Sequence, residues 1–402
     1  MRHFNDESPI YMEEVFFKQP ESFTKHSPKE LLAYALGAAL YMPATKATIS
    51  SDIIQKKYPE LTSIVIDLED AVGDVLLANA EQNLLNQLAA LANALSDRII
   101  NSEDLPLIFV RVRNPAQLKR ISEELGEWQS ILTGYVFPKF STANGEAFLQ
   151  ILKEQNRPDR KLYAMPILES PQVIYKESRM DELLSLTRIM DNYNDLILNI
   201  RIGATDFCGL FGIRRDVDTT IYDVSIIRDC ISDIINLFTR QSAGYVISGP
   251  VWEYFSNEHR ILKPTLRTTP FQAKYGKTGI QMRSDMIDQY IDGLINEVIL
   301  DKLNGIIGKT IIHPTHIKPV HSLYVVTHEE YMDATSILSN GSGMIGVEKS
   351  SYSNKMNEIK PHMNWAKKIL LRAKAFGVFH PDHDFTSLLL KDYQAAEILE
   401  VN

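Results

Sequence analysis

The stretch Met165-Pro-Ile-Leu-Glu169 and its partner Asn199-Ile-Arg-Ile-Gly-Ala-Thr-Asp206 decide the fold. Each is a short apolar run, too short for a helix, that leads to one carboxylate. This pattern is typical of a buried parallel strand whose last residue faces a site. Two carboxylates at the ends of neighbouring strands suit Mg²⁺, which takes one or two carboxylates together with waters and substrate. The alternative is that Glu169 and Asp206 are ordinary strand-end or helix-capping acids.

Further strand-like runs lie on both sides of these two stretches. They occupy residues 38–44, 63–67, 107–113, 134–139, 244–251 and 309–314. Helical patterns separate the runs, at residues 77–95, 115–131, 143–154, 171–190, 222–240 and 284–303. Eight strands that alternate with helices over about 280 residues predict a (β/α)₈ TIM barrel of the α/β class.

The ends of the chain differ from this regular alternation. We predict an N-terminal arm and helix at residues 1–36, a catalytic barrel at 37–320 and a mainly helical C-terminal appendage at 321–402. The appendage contains a predicted helix from His362 to Phe376. We expect it to contact a neighbouring subunit.

Composition narrows the possible partners and location. The 402 residues carry a net charge of −9, which indicates neither a nucleic-acid footprint nor a polybasic membrane patch. Only two cysteines are present, Cys208 and Cys230, as in a reducing compartment. The longest uncharged run, residues 31–45, is too short to span a bilayer and contains Pro43. These features predict a cytoplasmic protein without a membrane or nucleic-acid partner.

Charged residues recur at the predicted carboxyl ends of the strands. They are Asp67, Glu69, Asp70, Arg111, Arg113, Lys139, Glu169, Asp206 and His313. In a TIM barrel such residues face one common mouth, where active sites lie. Burying so many charges unpaired would be costly, so they must pair, bind metal or face water. A site is therefore favoured over a purely structural ring of ion pairs.

Several of these motifs occur in the order of a known family. They are Leu40-Tyr-Met-Pro-Ala, Val65-Ile-Asp-Leu-Glu-Asp-Ala-Val72, Val110-Arg-Val112, Val136-Phe-Pro-Lys139, Pro166-Ile-Leu-Glu169, Ile202-Gly-Ala-Thr-Asp206 and Gly308-Lys-Thr-Ile-Ile-His-Pro314. The chain resembles the citrate lyase β-subunit and malyl-CoA lyase family over most of residues 38–320. Its longer loops and tail resemble the divergent branch found with bacterial tellurium-resistance gene clusters.

The resemblance implies a TIM barrel, a bound Mg²⁺ and the cleavage or formation of a carbon–carbon bond next to a carbonyl. By motif, Glu169 and Asp206 correspond to the metal-binding carboxylates. Arg111 corresponds to the arginine that holds the substrate carboxylate or the enolate oxygen. Glu69 and Asp70 correspond to the acids behind the metal's water ligands. A metal ion and a fixed guanidinium suit the negative charge that an aldol-type cleavage develops.

The chain departs from the family pattern at three places. Arg113 stands where the family usually has Asn, and residues 73–81 lack the usual Lys and Arg. In the tail, the family's general acid/base Asp has its nearest counterpart in Glu358, which either moves the proton in a neighbouring subunit's site or is an exposed helix-start acid. These changes favour an oxo-acid or sugar-like substrate over a CoA thioester.

We therefore predict a Mg²⁺-dependent carbon–carbon lyase or aldolase that acts on a small carboxylate. Glu169 and Asp206 hold the metal, and Arg111, Glu69 and Glu358 are catalytic. The predicted substrate-binding residues are Arg111, Arg113, Lys139, Asp67 and Asp70. We expect a homo-oligomer, trimer or larger. The alternatives are a non-catalytic barrel that assembles a stress-response complex, and phosphoryl-group chemistry on a pyruvate-like substrate.

Overall fold

The structure is a computed structural model that describes residues 1–255, 289–341 and 346–389 together with Gln272 and Gly276. The chain forms two compact units. The first contains Met1 and residues 23–253 and 297–317. The second contains residues 2–22 and the described parts of 254–296 and 318–402.

Eight parallel strands form the centre of the first unit. They are β1 (Ala38–Pro43), β2 (Ser63–Asp67), β3 (Leu107–Arg111), β4 (Gly134–Phe137), β5 (Tyr163–Leu168), β6 (Ile200–Ile202), β7 (Ile247–Ser248) and β8 (Lys309–Ile311). Their order is β7-β6-β5-β4-β3-β2-β1-β8. A parallel bridge between Gly249 and Lys309 joins the two ends of this row, and the Gly249 amide donates to Gly308 O at 2.9 Å. The predicted TIM barrel is thus confirmed, with every predicted strand found.

The strands form because their residues suit burial on both faces. Every residue of β2 and of β5 is buried, and β2 is rich in β-branched side chains. The helices around them lie at Lys29–Ala35, Ile49–Ile54, Leu77–Ser96, Pro115–Leu125, Gly145–Gln155, Pro171–Ile174, Lys176–Asn192, Ala204–Leu210, Ser225–Phe238 and Gln289–Leu303. On Leu77–Ser96, Leu84, Leu88 and Leu91 form the buried stripe that their spacing predicts. Residues 284–288 of one predicted helix lie outside the described part of the chain.

Two predicted helices are each divided. The helix predicted over 115–131 ends at Leu125 and continues as a 3₁₀ segment, because Gly126 adopts a left-handed φ of +51° that an α-helix does not use. The helix predicted over 171–190 is two helices separated at Tyr175, whose backbone is extended. The sixth predicted strand was too long: it ends at Ile202, and Asp206 lies in the first turn of the helix Ala204–Leu210.

The second unit is mainly helical, as predicted for the appendage. Its helices are Pro9–Val15, Ile317–Tyr324, His328–Ser339 and Ile359–Phe376, accompanied by the short strands Phe16–Lys18, Val347–Lys349, Met356–Glu358 and Val378–Phe379. Phe16–Lys18 pairs antiparallel with Val378–Phe379, so part of the predicted N-terminal arm and part of the tail form one sheet. Across the described residues, no helix is both long and apolar enough to cross a membrane.

Candidate active site

A cavity of about 810 Å³ lies at the carboxyl ends of the barrel strands. Its polar lining side chains are Tyr41, Asp67, Asp70, Arg111, Glu169, Arg201, Thr205, Asp206 and Thr310. They come from six of the eight strands or from the segments that directly follow them. The parallel topology therefore brings together residues that are up to 269 positions apart in sequence (310 − 41).

The two predicted metal ligands share this cavity. Glu169 directly follows β5 and is 3 % exposed, while the Asp206 side chain is 30 % exposed. Gly203 creates the room that the Glu169 carboxylate occupies, since a Cβ at position 203 would lie 2.0 Å from Glu169 Oε2. Glu169 Oε1 accepts a hydrogen bond of 2.8 Å from the Lys139 amide, which leaves Oε2 to face other partners.

The electrostatics of this pair suit a cation. Burial, with the nearby charge of Asp206, raises the pKa of Glu169 to about 8. Two neighbouring carboxylates repel each other when both are ionised, and a divalent ion beside them stabilises the doubly ionised pair. No cluster of three or more His, Cys, Asp or Glu is placed to hold a metal within the described ranges, so the protein offers two carboxylates. That donor set fits Mg²⁺, which keeps several waters, better than it fits a closed zinc site.

Arg111 is held by carboxylates. Its Nε and Nη2 donate to the two oxygens of Asp67, each at 2.6 Å, and its Nη1 lies 3.0 Å from both Asp70 Oδ2 and Glu69 Oε2. Burial by itself would lower the pKa of Arg111, but the hydrogen bonds and charge of Asp67 raise it above its usual value. Asp67 is 1 % exposed and also accepts from the backbone amides of Glu69 and Ala71. The guanidinium is therefore fixed and permanently charged.

Glu69, Asp70 and Lys139 form a rim beside this arginine. The side chains of Asp70 and Lys139 are about half exposed and that of Glu69 is 11 % exposed, and of the three Asp70 alone lines the cavity. Lys139 Nζ contacts Glu69 Oε1 at 2.5 Å and lies 3.6 Å from Asp70 and 3.7 Å from Asp206. Burial and the hydrogen bond with Asp70 raise the pKa of Glu69. The pKa of Asp70 is lowered, because its hydrogen bond with Glu69 and the charges of Arg111 and Lys139 outweigh burial. Glu69 therefore holds its proton more tightly than Asp70 does.

Two predicted site residues lie elsewhere. Arg113 does not line the cavity and donates to the backbone oxygens of Leu68 and Val72 and to Asp74, so it braces the loop after β2. Glu358 belongs to the second unit, where it is exposed at the end of the strand Met356–Glu358. The structure thus gathers Asp67, Glu69, Asp70, Arg111, Lys139, Glu169 and Asp206 within the first unit.

Sequence reasoning missed four polar residues of the cavity wall, which are Tyr41, Arg201, Thr205 and Thr310. Arg201 on β6 is 1 % exposed and donates to Thr310 Oγ1 at 2.6 Å, and its guanidinium carbon lies 5.7 Å from the ring centre of Tyr41. Arg111 approaches the same ring at 5.3 Å. A charged residue in the middle of an apolar strand, between Ile200 and Ile202, was the available signal.

A closed ring of eight parallel strands with a polar mouth at their carboxyl ends defines the class of TIM-barrel proteins. Residues 30–378 match the family model described as C–C bond lyase of the TIM-barrel fold. The chain belongs to this family of carbon–carbon bond lyases. This match confirms the prediction of a carbon–carbon lyase.

Solved structures agree on the fold. A citrate lyase from Burkholderia xenovorans LB400 superposes with a TM-score of 0.56 at 14 % identity, covering 88 % of this chain and 95 % of that one. The protein CitE from Mycobacterium tuberculosis, in complex with magnesium, acetoacetate and coenzyme A, gives a TM-score of 0.51 at 17 % identity, covering 84 % and 97 %. At these identities the likeness supports the fold alone. No curated protein matches the chain.

Proposed function

We propose that this protein is a Mg²⁺-dependent carbon–carbon bond lyase that acts on an oxo acid or a related carboxylate. The observation that carries the proposal is the pair Glu169 and Asp206 on the wall of one cavity, with Gly203 leaving space for the Glu169 carboxylate. Family membership supports the reaction type. The magnesium complex of the similar Mycobacterium tuberculosis protein supports the choice of ion.

The residues of the cavity suit the charge that the reaction develops. When the carbon–carbon bond breaks, its electron pair moves toward the neighbouring carbonyl and forms an enolate. A bound Mg²⁺ would supply Lewis-acid stabilisation at that oxygen. Asp67 holds Arg111 in place, so the guanidinium stabilises the same charge without moving. The second hydrogen of its Nη2 is not used by the bonds to Asp67, Asp70 and Glu69, and we assign it to the substrate oxygen.

We assign the proton transfer to Glu69, which accepts the proton of the substrate hydroxyl as its carbon becomes a carbonyl and returns a proton to the enolate carbon. Its raised pKa brings the carboxyl group closer to the range in which an acid can both release and recover a proton. Asp70 lines the cavity and shares a side-chain hydrogen bond with Glu69, so we assign Asp70 to relay the proton between Glu69 and the substrate. Glu358 stays a prediction that depends on a neighbouring subunit, and the substrate contacts of Asp67, Arg113 and Lys139 also stay predictions.

The test combines metal binding with turnover. Isothermal titration calorimetry with Mg²⁺ should give one binding event for the unmodified protein and none for Glu169→Gln or Asp206→Asn. Proton NMR of a panel of oxo acids and hydroxy acids, incubated with protein and Mg²⁺, should show cleavage that falls on the order of 10³-fold in both variants.

The matched control is Asp229→Asn, an exposed acid on the helix Ser225–Phe238. It should bind Mg²⁺ and turn over substrate like the unmodified protein. Circular dichroism should show that all three variants stay folded. Unchanged turnover in either Glu169→Gln or Asp206→Asn would refute the proposal.

A further inference from the structure

Arg201 is a buried cation to which the described part of the chain gives no carboxylate partner. Its polar contacts are Thr310 Oγ1 at 2.6 Å, the hydroxyl group of Tyr41 and Met165 Sδ at 4.0 Å, and its Nε has no hydrogen-bond partner. Four other buried arginines each reach an acid: Arg111 pairs with Asp67, Arg179 with Asp233, Arg215 with Glu297, and Arg372 with Glu330. Arg160, also buried, instead donates to two backbone carbonyls.

The contacts that Arg201 does make are too weak to offset its burial. A desolvated guanidinium beside an aromatic ring, as Arg201 is beside Tyr41, gains some cation–π attraction. Removing an ion from water costs more than this attraction returns, even after the protein relaxes. Burial lowers the pKa of Arg201, the charge and hydrogen bond of Tyr41 oppose this only in part, and the charge of Arg111 adds to the lowering. An anion beside Arg201 would remove this imbalance.

The cavity is where such an anion has access. Arg201 and Thr310 both line it, and Thr310 Oγ1 accepts from Arg201, so the Thr310 hydroxyl hydrogen is directed to a further acceptor. Arg201 is 1 % exposed, whereas the side chains of Asp206 and Asp70 are 30 % and 51 % exposed. The basic group therefore lies at the enclosed part of the cavity, deeper than those two acids.

We propose that Arg201 and Thr310 form a second anion subsite, which binds the carboxylate at the far end of a dicarboxylic oxo-acid substrate. This inference rests on the proposed function, in which the oxo-acid end of the substrate meets Glu169, Asp206 and Arg111. A carboxylate fits better than a phosphate, because the subsite has one guanidinium, whose planar fork matches two carboxylate oxygens. The other cations near the mouth, Arg111 and Lys139, already pair with acids.

Two acids of equal length test the subsite. 2-Oxoglutarate and 2-oxopentanoate differ only in the terminal carboxylate. With Mg²⁺ present, calorimetry should show that the unmodified protein binds 2-oxoglutarate roughly 10- to 100-fold more tightly, the range expected for one charge-assisted contact. Arg201→Met should abolish this preference and leave the affinity for 2-oxopentanoate unchanged. Arg201→Lys, which keeps the charge and loses the fork, should restore part of it.

A metal-free arm separates this proposal from the proposed function. Acetate carries only the carboxylate, so it should raise the thermal unfolding midpoint of the metal-free protein and fail to do so for Arg201→Met. Arg228→Met, at an exposed position on the helix Ser225–Phe238, controls for the lost charge and should respond like the unmodified protein.

Each outcome has a definite meaning. The unmodified protein could fail to bind both oxo acids with Mg²⁺ and still be stabilised by acetate in a way that requires Arg201. That result would overturn the lyase proposal and keep the subsite. An acetate response or a 2-oxoglutarate preference that survives Arg201→Met would overturn the subsite. A response to phosphate that exceeds the response to acetate would overturn the assignment to a carboxylate.

Discussion

Arg111 and Arg201 are two arginines in one cavity with opposite surroundings. Both are buried, and both guanidinium groups lie within 6 Å of the Tyr41 ring, at 5.3 and 5.7 Å. Arg111 lies beside the acidic loop after β2 and meets three carboxylates, whereas Arg201 meets the hydroxyl groups of Thr310 and Tyr41. One charge is neutralised by the protein itself, and the other is left for a ligand.

The difference shows that burial and residue type do not define a role. Arg111 is saturated with protein acceptors, which makes it a rigid electrostatic element. Arg201 is incompletely bonded, which makes it a receptor for an anion. Substitutions that remove each charge should therefore have opposite effects on stability, and this contrast can be measured.

Arg111→Met should have the largest effect on stability. It leaves Asp67, which is 1 % exposed, as a buried charge without its cation. Breaking a buried pair from one side typically costs about 3–5 kcal/mol in free energy of unfolding. Urea unfolding followed by circular dichroism should show a loss of this size.

The double variant Arg111→Met with Asp67→Asn should recover part of that loss. Asparagine carries no charge, and its side-chain oxygen can still accept from the backbone amide of Glu69 or Ala71. Failure of the double variant to regain stability would show that lost packing, and not the stranded charge, governs the effect.

Arg201→Met should leave the free energy of unfolding unchanged or raise it by about 1–4 kcal/mol, because an uncompensated buried charge is replaced by an apolar side chain of similar length. The comparison variant is Arg179→Met, since Arg179 is 6 % exposed but bonds to Asp233 and to two backbone carbonyls. Arg179→Met should lose stability. If Arg201→Met and Arg179→Met lost the same free energy of unfolding in parallel urea titrations, the expected difference between a compensated and an uncompensated arginine would be wrong.

Lys139→Met should reduce the free energy of unfolding only slightly. Lys139 carries its charge at the rim, where its side chain is 50 % exposed and water screens its ion pairs with Glu69 and Asp206. Exposed ion pairs contribute about 0–1 kcal/mol. The urea midpoint should therefore shift little. A loss of unfolding free energy as large as that of Arg111→Met would mean that the ion pairs of the rim stabilise the protein as much as the buried Arg111–Asp67 pair does.

Much of the barrel could be predicted because its strands have a local pattern. Runs such as Ser63–Asp67 and Tyr163–Leu168 are continuous and apolar, and a strand buried on both faces requires this. Breaks in helices were harder to predict. Gly126 ends one helix at Leu125 by adopting a left-handed backbone, whereas an extended Tyr175 divides another without any glycine or proline at the break.

The acids and Arg111 of the candidate site could be predicted from their recurrence at strand ends and from motifs. The hydrogen-bond partners of these residues could not be predicted in this way. Arg113 bonds to the loop after β2, and the Asp67 oxygens accept from Arg111 and from two backbone amides. These contacts depend on side-chain directions, which spacing along the chain does not encode.

The sequence by itself determined the barrel, the family and the row of charged residues at the strand ends, because strand periodicity and strand-end chemistry are local properties. Only the tertiary structure decided which charges are compensated. Arg201, Thr310 and Tyr41 lie on three different strands, β6, β8 and β1, and they meet because the sheet closes on itself. Whether a buried charge has a partner is a property of that closed ring, and it decides which arginine is left to bind a ligand.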